Sequence, residues 1–114
     1  MKIINVEAHP IYPQFAERNQ DKLVRFQHIN HRTIIKIETD NGIVGYGDYR
    51  QQQPSQGEIE RLIDRSPFDF VHNDFHMAIG GALFDVMGKH LEIPAYKLLG
   101  PKLRERVPVA AWSR

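Results

Sequence analysis

The sequence has no cysteine, which excludes disulfide bonds and thiolate metal sites. It also has no long apolar run: none approaches the ~18 residues of a membrane span, and Glu7 already interrupts the apolar start. We therefore expect neither a signal peptide nor a membrane anchor, and we predict a cytoplasmic protein. An excess of one charge is missing as well, because 15 basic residues are matched by 14 acidic ones. Nothing in this balance predicts a nucleic-acid or membrane partner.

The length and composition of the chain are those of one ordinary globular domain. The chain has 114 residues, of which 41% are hydrophobic and 25% are charged. A domain of this size buries roughly 60–70% of the surface of its unfolded chain, which is enough for a small core. The composition changes once, near Pro54: β-branched residues dominate before it and helix-forming residues after it. This order predicts strands first and helices second.

The first half of the chain carries two strand patterns separated by a loop. Residues 2–8 alternate apolar and polar side chains, as a strand does, and Pro10 and Pro13 are expected to end it. Residues 14–30 are polar and aperiodic, so we predict a long loop there. The β-branched run at 32–39 is the strongest strand signal in the sequence.

A hairpin follows directly. Asn41-Gly42 is expected to supply the positive φ angles of a tight turn, and residues 43–48 form the return strand. That strand carries Gly45 and Gly47 two residues apart, and hence on one face. A face without side chains lets a helix or another backbone approach closely.

Helical patterns fill the second half. Ser55 with Glu58 three residues later is a capping box, which predicts a short helix that continues to about residue 64. A longer helix, capped by Asn73 or Asp74, is expected to run to about Leu91. Its apolar residues recur on one face, at the spacing of a helix that packs on a core: Ile79, Ala82, Leu83, Val86 and Met87.

The last segments complete the predicted order. Pro94 begins a further short helix and Gly100 ends it. Residues 107–112 are apolar and typical of a strand, but they have no partner in this order. The predicted fold class is therefore α+β, a three-stranded antiparallel meander followed by helices packed on one face.

Two stretches carry a family resemblance. Residues 37–48 read IETDNGIVGYGD, and residues 82–100 read ALFDVMGKHLEIPAYKLLG. Together and in this order they resemble the mandelate racemase and muconate-lactonizing branch of the enolase superfamily, in the N-terminal capping domain. The resemblance covers nearly the whole chain. It departs from the family between the hairpin and the helix at Ala82, where capping domains usually carry a fuller helical pair.

The resemblance implies a two-part enzyme. A capping domain closes a barrel of parallel strands and helices, whose lysine or histidine removes the proton α to a carboxylate while Mg²⁺ on three carboxylates stabilises the enediolate. None of those barrel residues lies in this chain, so the chain alone is expected to be inactive. We assign residues 1–106 to the capping domain and 107–114 to the first strand of the barrel. The parent would be an acid-sugar dehydratase, with a racemase or cycloisomerase as the alternative.

In such enzymes two loops of the capping domain contact the substrate, a small carboxylic acid. They correspond here to about 13–30 and 48–53. Arginine binds a carboxylate in a bidentate manner, so arginines in these loops are the first candidates, with ordinary solvated charges as the alternative. An aromatic residue at the end of the barrel strand is added, since barrel sites form there. The predicted substrate-binding residues are Arg18, Arg25, Tyr49, Arg50 and Trp112.

Other polar patterns are less specific. His72 and His76 are four residues apart, but the helix is expected to begin near Asp74, which leaves His72 outside it. We therefore predict no metal ligand and no catalytic residue in this chain, and Mg²⁺ only in the parent. Asp85 and Lys89 are interpreted as a structural i, i+4 ion pair.

A hypothesis of another class competes with the enzyme part. The chain could be a free-standing α+β domain that associates, as a homo-oligomer or with a partner, through its apolar C-terminal strand. Its end at Arg114, in the middle of an expected strand-to-helix connection, instead favours a fragment. Proteolysis by a trypsin-like enzyme or a truncated gene would both produce that end.

Overall fold

The structure is a computed structural model that describes residues 1–14, 17, 30–50, 53–75 and 77–110. In chain order its elements are β1 (Ile3–Ile11), β2 (Arg32–Thr39), β3 (Val44–Arg50), α1 (Gln56–Glu60), a 3-10 helix (Pro67–Phe70), α2 (Met77–His90) and a second 3-10 helix (Ala95–Leu98). Strands precede helices, so the predicted α+β class is confirmed. No helix in these ranges is long and apolar enough to cross a membrane.

The strands form one antiparallel sheet in the order β1-β2-β3. Ile11 pairs with Arg32, and Arg32 pairs with Arg50, so these three residues form one row across the end of the sheet. Of the two prolines expected to end the first strand, Pro10 does not, because β1 continues through it and Pro10 pairs with Thr33. Proline is tolerated there because β1 is an edge strand, on which a missing N–H can face away from the ladder. The strand ends at Ile11, before Pro13.

The hairpin turn is slightly wider than a two-residue Asn-Gly turn. Gly42 has φ +82°, whereas Asn41 does not have a positive φ. The amide of Gly42 donates to the carbonyl of Thr39 at 2.9 Å, and the amide of Thr39 donates to the carbonyl of Ile43 at 3.0 Å. This is a three-residue loop with glycine at its left-handed position, so Gly42 alone meets the demand for positive φ.

Helix α2 covers one face of this sheet. Its five predicted core residues are all fully buried, which confirms the periodicity. They pack against β2 side chains such as Ile35 and Ile37, which are also fully buried. Val86 and Met87 continue this contact towards the end of the helix. The core of the domain is thus a single layer between α2 and the sheet.

The contact between α2 and β3 depends on the two glycines of the return strand. A Cβ atom at Gly47 would collide with the backbone carbonyl of Ala78 and lie 2.7 Å from the backbone nitrogen of Ala82. A Cβ atom at Gly45 would collide with the side chain of Val86 and lie 2.5 Å from the carbonyl of Ala82. The glycine face predicted to admit a close neighbour therefore receives the helix backbone itself.

Asp85 and Lys89 tie the same helix to the edge of β3. The Asp85 carboxylate accepts from the backbone amide of Tyr46 at 2.8 Å and from the Lys89 ammonium at 2.7 Å. Lys89 also donates to the carbonyl of Val44 at 2.8 Å. The predicted ion pair is therefore present and does more than expected, because it satisfies two edge groups of β3 that have no strand beside them.

The helices before α2 are short. The capping box at Ser55 is present, with the Glu58 carboxylate accepting from the Ser55 amide at 2.9 Å. The helix it starts is α1, which ends at Glu60 rather than at 64. A segment around Asp64, which has φ +63°, then hydrogen-bonds to both backbone groups of Ile3 and covers the start of β1.

The C-terminal tail, residues 101–110, contains no helix and no strand. The strand predicted at 107–112 is therefore absent from its described part, 107–110, and the other two residues lie outside the described ranges. Val109 is 89% exposed and Leu103 is 87% exposed. An isolated extended segment has no ladder to complete, so its apolar side chains do not by themselves make a strand.

The face of the sheet opposite α2, here called the open face, carries a polar network. The Asn5 amide donates to Glu7 at 2.8 Å and to Glu38 at 2.9 Å. Glu7 is bonded to His9 at 2.8 Å, and Glu38 pairs with Lys36 at 2.6 Å. The bond to His9, followed by that to Asn5, lowers the pKa of Glu7, and the bond to Lys36 lowers the pKa of Glu38.

These pKa shifts predict acid sensitivity. A carboxyl group whose folded pKa lies below its unfolded value of 4.5 contributes stability above that pH and loses it as the pH falls through the folded pKa. Glu38→Gln should therefore lower the urea midpoint at about pH 7 and have no effect at about pH 3. Glu105→Gln, in the exposed tail, is the control and should change neither midpoint. A Glu38→Gln effect of equal size at both pH values would contradict the assignment.

Candidate functional site

The candidate site is the end of the sheet at which β1 and β3 finish and β2 begins. Ile11, Arg32 and Arg50 form its last row, and both predicted substrate loops leave the sheet there. The next row is Pro10, Thr33 and Tyr49. Successive side chains of a strand point to opposite faces. The last row, with Arg32 and Arg50, therefore lies on the open face, and the row with Thr33 and Tyr49 lies on the face covered by α2.

An arginine–carboxylate pair dominates the open face at this end. Arg32 donates from Nε to Asp48 Oδ1 at 2.9 Å and from Nη2 to Asp48 Oδ2, which is a bidentate pair. The hydrogen bonds that Arg32 donates to Asp48 raise the pKa of Arg32 above its ordinary value, so Arg32 stays charged. Arg50, directly opposite Arg32, is exposed. Two guanidinium groups and one carboxylate leave this corner with one net positive charge.

Tyr49 belongs to the other face. It is half-buried and packs against the core between α2 and the sheet. Tyr49 and Arg50, treated as a pair in the sequence because they are neighbours, therefore point away from each other. The structure brings Arg50 together with Arg32 and Asp48 instead.

Side chains also close the base of the first loop. The rings of Tyr12 and His31 stack with centroids 4.5 Å apart and an interplanar angle of 15°. The amide of Asn30 donates to the carbonyl of Pro13 at 3.1 Å. These contacts fix the chain on both sides of the segment between Pro13 and Asn30, so the base of that loop is ordered by its own residues.

Two buried polar atoms at this end have no hydrogen-bond partner in the part of the chain that the structure describes. They are His31 Nε2 and Thr33 Oγ1. Thr33 is fully buried, so its hydroxyl has lost water without gaining a bond. An unmet hydrogen bond of this kind costs about 1–3 kcal/mol, and such atoms are a common mark of functional regions.

Helix α2 adds to the positive charge at this end. Gly47 lies beside Ala78, and Gly45 lies beside Ala82 and Val86, so α2 runs antiparallel to β3. Its N-terminus is therefore directed towards the end of β3 at Arg50. The amides of a helix N-terminus carry about half a positive charge, which favours anions near Tyr49 and Arg50.

Of the five predicted substrate-binding residues, the structure describes two. Tyr49 and Arg50 lie at the end of β3, whereas Arg18, Arg25 and Trp112 lie outside the described residues. The sequence analysis missed Arg32 and Asp48. The signal was available, because a turn centred on Asn41 sets Arg32 opposite Arg50 and places Asp48 two rows away, on the same face.

Metal ligands do not gather in the described ranges. Within them, no group of three or more His, Cys, Asp and Glu side chains could hold a metal ion. His72 lines a groove of about 390 Å³ beside Phe75 and Phe84, and His76, its predicted companion, lies outside the described residues.

Two curated relatives illustrate what the chain is similar to. It is 33% identical to the N-succinyl-L-Arg/Lys racemase of Bacillus cereus, over 67% of this chain and 27% of the relative. It is equally 33% identical to the D-galactonate dehydratase of Variovorax paradoxus, over 69% of this chain and 27% of the relative. The chain thus spans about a quarter of the length of these relatives. No protein-family model matches it.

Solved structures match over nearly the whole chain. The dipeptide epimerase of Enterococcus faecalis V583 matches 88% of this chain with 33% of its own, at a TM-score of 0.60 and 26% identity. An enolase of Pseudomonas fluorescens Pf0-1, solved with magnesium, potassium and tartrate, matches 96% of this chain with 34% of its own. Its TM-score is 0.63 at 22% identity, so this second likeness concerns the fold alone.

The opposite orientations of Tyr49 and Arg50 predict opposite effects of truncation. Tyr49→Ala removes a ring from the core and should lower the free energy of unfolding by about 1–3 kcal/mol. Arg50→Ala removes an exposed side chain and should change it by about 0.5 kcal/mol or less. Urea denaturation of both variants measures this. Equal losses would show that the two side chains do not occupy opposite faces.

Proposed function

Because the chain belongs to the mandelate racemase and muconate-lactonizing branch of the enolase superfamily, we propose that it is the N-terminal capping domain of a magnesium-dependent enzyme. The parent removes a proton α to a carboxylate, and this chain contributes specificity rather than catalysis. The observation that carries the proposal is the extent of the match. One fold, aligned over 88% of this chain, occupies only 33% of the dipeptide epimerase.

The end of the sheet supports a role in substrate binding. Its surplus positive charge lies where both predicted loops begin, and the substrate of such an enzyme is an anion. We propose that Arg50 contacts the substrate and that Tyr49 supports it from the covered face. Arg18, Arg25 and Trp112 remain proposals from the sequence, on loops that leave this same end or on the tail.

Exposed apolar side chains support the proposal that a barrel packs against this domain in the parent. Met77 is 67% exposed and Leu99 is 70% exposed, and both line the groove beside α2. The tail at 101–110 begins at that groove and exposes Leu103, Val107 and Val109. Exposed apolar residues beside a groove are a feature of interaction surfaces. In the proposed parent, residues 107–114 form the first strand of the barrel and the barrel covers this surface.

The reaction we propose is the dehydration of a sugar acid, as in the galactonate and xylonate dehydratases among the relatives. Racemisation or epimerisation is the alternative, because a racemase at 33% identity and an epimerase at 26% identity are also similar to this chain. Both reactions share the first step, loss of the α-proton, and differ in what leaves afterwards. A test of the parent should therefore record proton exchange and loss of water separately.

The parent, with residues 1–106 followed by its barrel, should exchange the α-proton of its substrate with D₂O in the presence of Mg²⁺. The probes are D-galactonate, D-xylonate and N-succinyl-L-arginine, followed by mass spectrometry. Loss of water identifies a dehydratase, and deuterium uptake without it identifies a racemase. Removing residues 1–106 should lower kcat/KM by about a hundredfold or more, because the substrate is no longer positioned. A parent that binds no Mg²⁺ and exchanges no α-proton overturns the proposal.

The second candidate, a free-standing interaction domain, is favoured only by the exposed tail. It requires the 114-residue chain to self-associate or to bind a partner through residues 101–114. Sedimentation velocity over a dilution series distinguishes the two. A monomer at all concentrations rules out self-association, and a dimer that disappears when 101–114 are deleted supports it.

A further inference from the structure

An unusual pairing of like charges lies at the end of the open face. Arg32 and Arg50 are directly opposite each other on adjacent antiparallel strands. Directly opposed residues have Cβ atoms about 4.5–5.5 Å apart, and two like charges at that distance destabilise a sheet. Such a pair needs a nearby anion.

Asp48 is such an anion, but its single charge neutralises only one of the two arginines. It lies on the same face as both arginines and gives both carboxylate oxygens to Arg32. Arg50 makes no hydrogen bond or ion pair with any residue that the structure describes. Asp48 also occupies one edge of the Arg32 guanidinium and leaves its other N–H donors directed elsewhere.

Among the residues that the structure describes, no other carboxylate of the open face is available to Arg50. Glu7 is engaged by Asn5 and His9, and Glu38 is engaged by Asn5 and Lys36. Both lie further along the sheet than Asp48, towards the hairpin turn. The surplus positive charge therefore stays at the end of the sheet.

We propose that Arg32 and Arg50 together bind one carboxylate group of the substrate, through the guanidinium donors that Asp48 leaves free. Two guanidinium groups on one row match the two oxygens of a carboxylate. The inference rests on the proposed function in one respect: the reacting carbon already bears a carboxylate, bound elsewhere in the parent. The inference narrows the proposed substrate to a dicarboxylic acid, such as a sugar diacid or, for the alternative reaction, an N-acyl amino acid with a second carboxylate.

The direct test uses the 114-residue chain, labelled with ¹⁵N at arginine, and propionate as the probe. Propionate should shift the Nε signals of Arg32 and Arg50 together and saturably. Propionamide, which has the same shape and no charge, should not. Arg50→Gln should weaken the propionate affinity by about tenfold or more, the effect of losing a charged hydrogen bond. Arg104→Gln, in the exposed tail, is the matched control and should leave it unchanged.

Asp48→Asn provides a readout that a purely structural role would not give. The substitution raises the net charge of the corner from +1 to +2 and frees the edge of the Arg32 guanidinium that Asp48 occupies. The propionate affinity should therefore rise by about threefold to tenfold. An unchanged or lower affinity in this variant, or equal shifts at Arg104 in the unmodified chain, overturns the proposal.

A carboxylate from an acidic side chain of the barrel could bind these arginines in the same way as a substrate carboxylate. Repeating the propionate titration on the parent protein distinguishes the two. With a substrate site, propionate shifts Arg32 and Arg50 in the parent as in the chain. With a docked side chain, both arginines are unresponsive in the parent, and the proposal is overturned. Neither result depends on turnover. Failure of this site leaves the capping function standing, whereas a parent without α-proton exchange removes that function and leaves the propionate result unaffected.

Discussion

The close contact between helix α2 and the two glycines of β3 is the constraint on which the rest of this domain depends. Gly45 and Gly47 have no side chains, so the backbone of α2 rests almost directly on the strand. Only at this distance can Asp85 and Lys89 reach the edge of β3 and bond to Tyr46 and Val44. The same contact sets the direction of α2 and buries its apolar stripe against β2.

This constraint gives the two faces of the sheet different tasks. The covered face holds the core, and Tyr49 extends that core to the end of the sheet. The open face has no helix on it in the described residues, so its side chains are free to carry charge. Arg32, Asp48 and Arg50 are held in register by the hairpin while their charged groups stay accessible. A rigid strand pair that presents polar groups at its end is a suitable base for substrate-binding loops.

Much of this fold follows from local patterns. The alternation at 32–39, the glycine at position 42 and the apolar stripe of α2 each depend on neighbouring residues, and each predicts its element correctly. Arg32 and Asp48 required one more step, because their meeting depends on the register between two strands. The course of β1 through Pro10 and the absence of a strand at 107–110 could not be read locally, since both depend on pairing between segments. Pro10 lies on an outer edge of the sheet, and residues 107–110 pair with no strand in the described part of the chain.

Filling the space between α2 and β3 is the most direct test of their close contact. Gly47→Ala should lower the free energy of unfolding by at least about 3 kcal/mol, because its methyl group meets helix backbone that cannot move aside. Gly57→Ala is the matched control, since a Cβ there meets nothing within 4 Å and alanine favours the helix, so stability should be unchanged or slightly higher. Urea denaturation measures both. If the free energy of unfolding of Gly47→Ala lies within about 0.5 kcal/mol of that of the unmodified chain, the close contact and the placement of the groups that depend on it are contradicted.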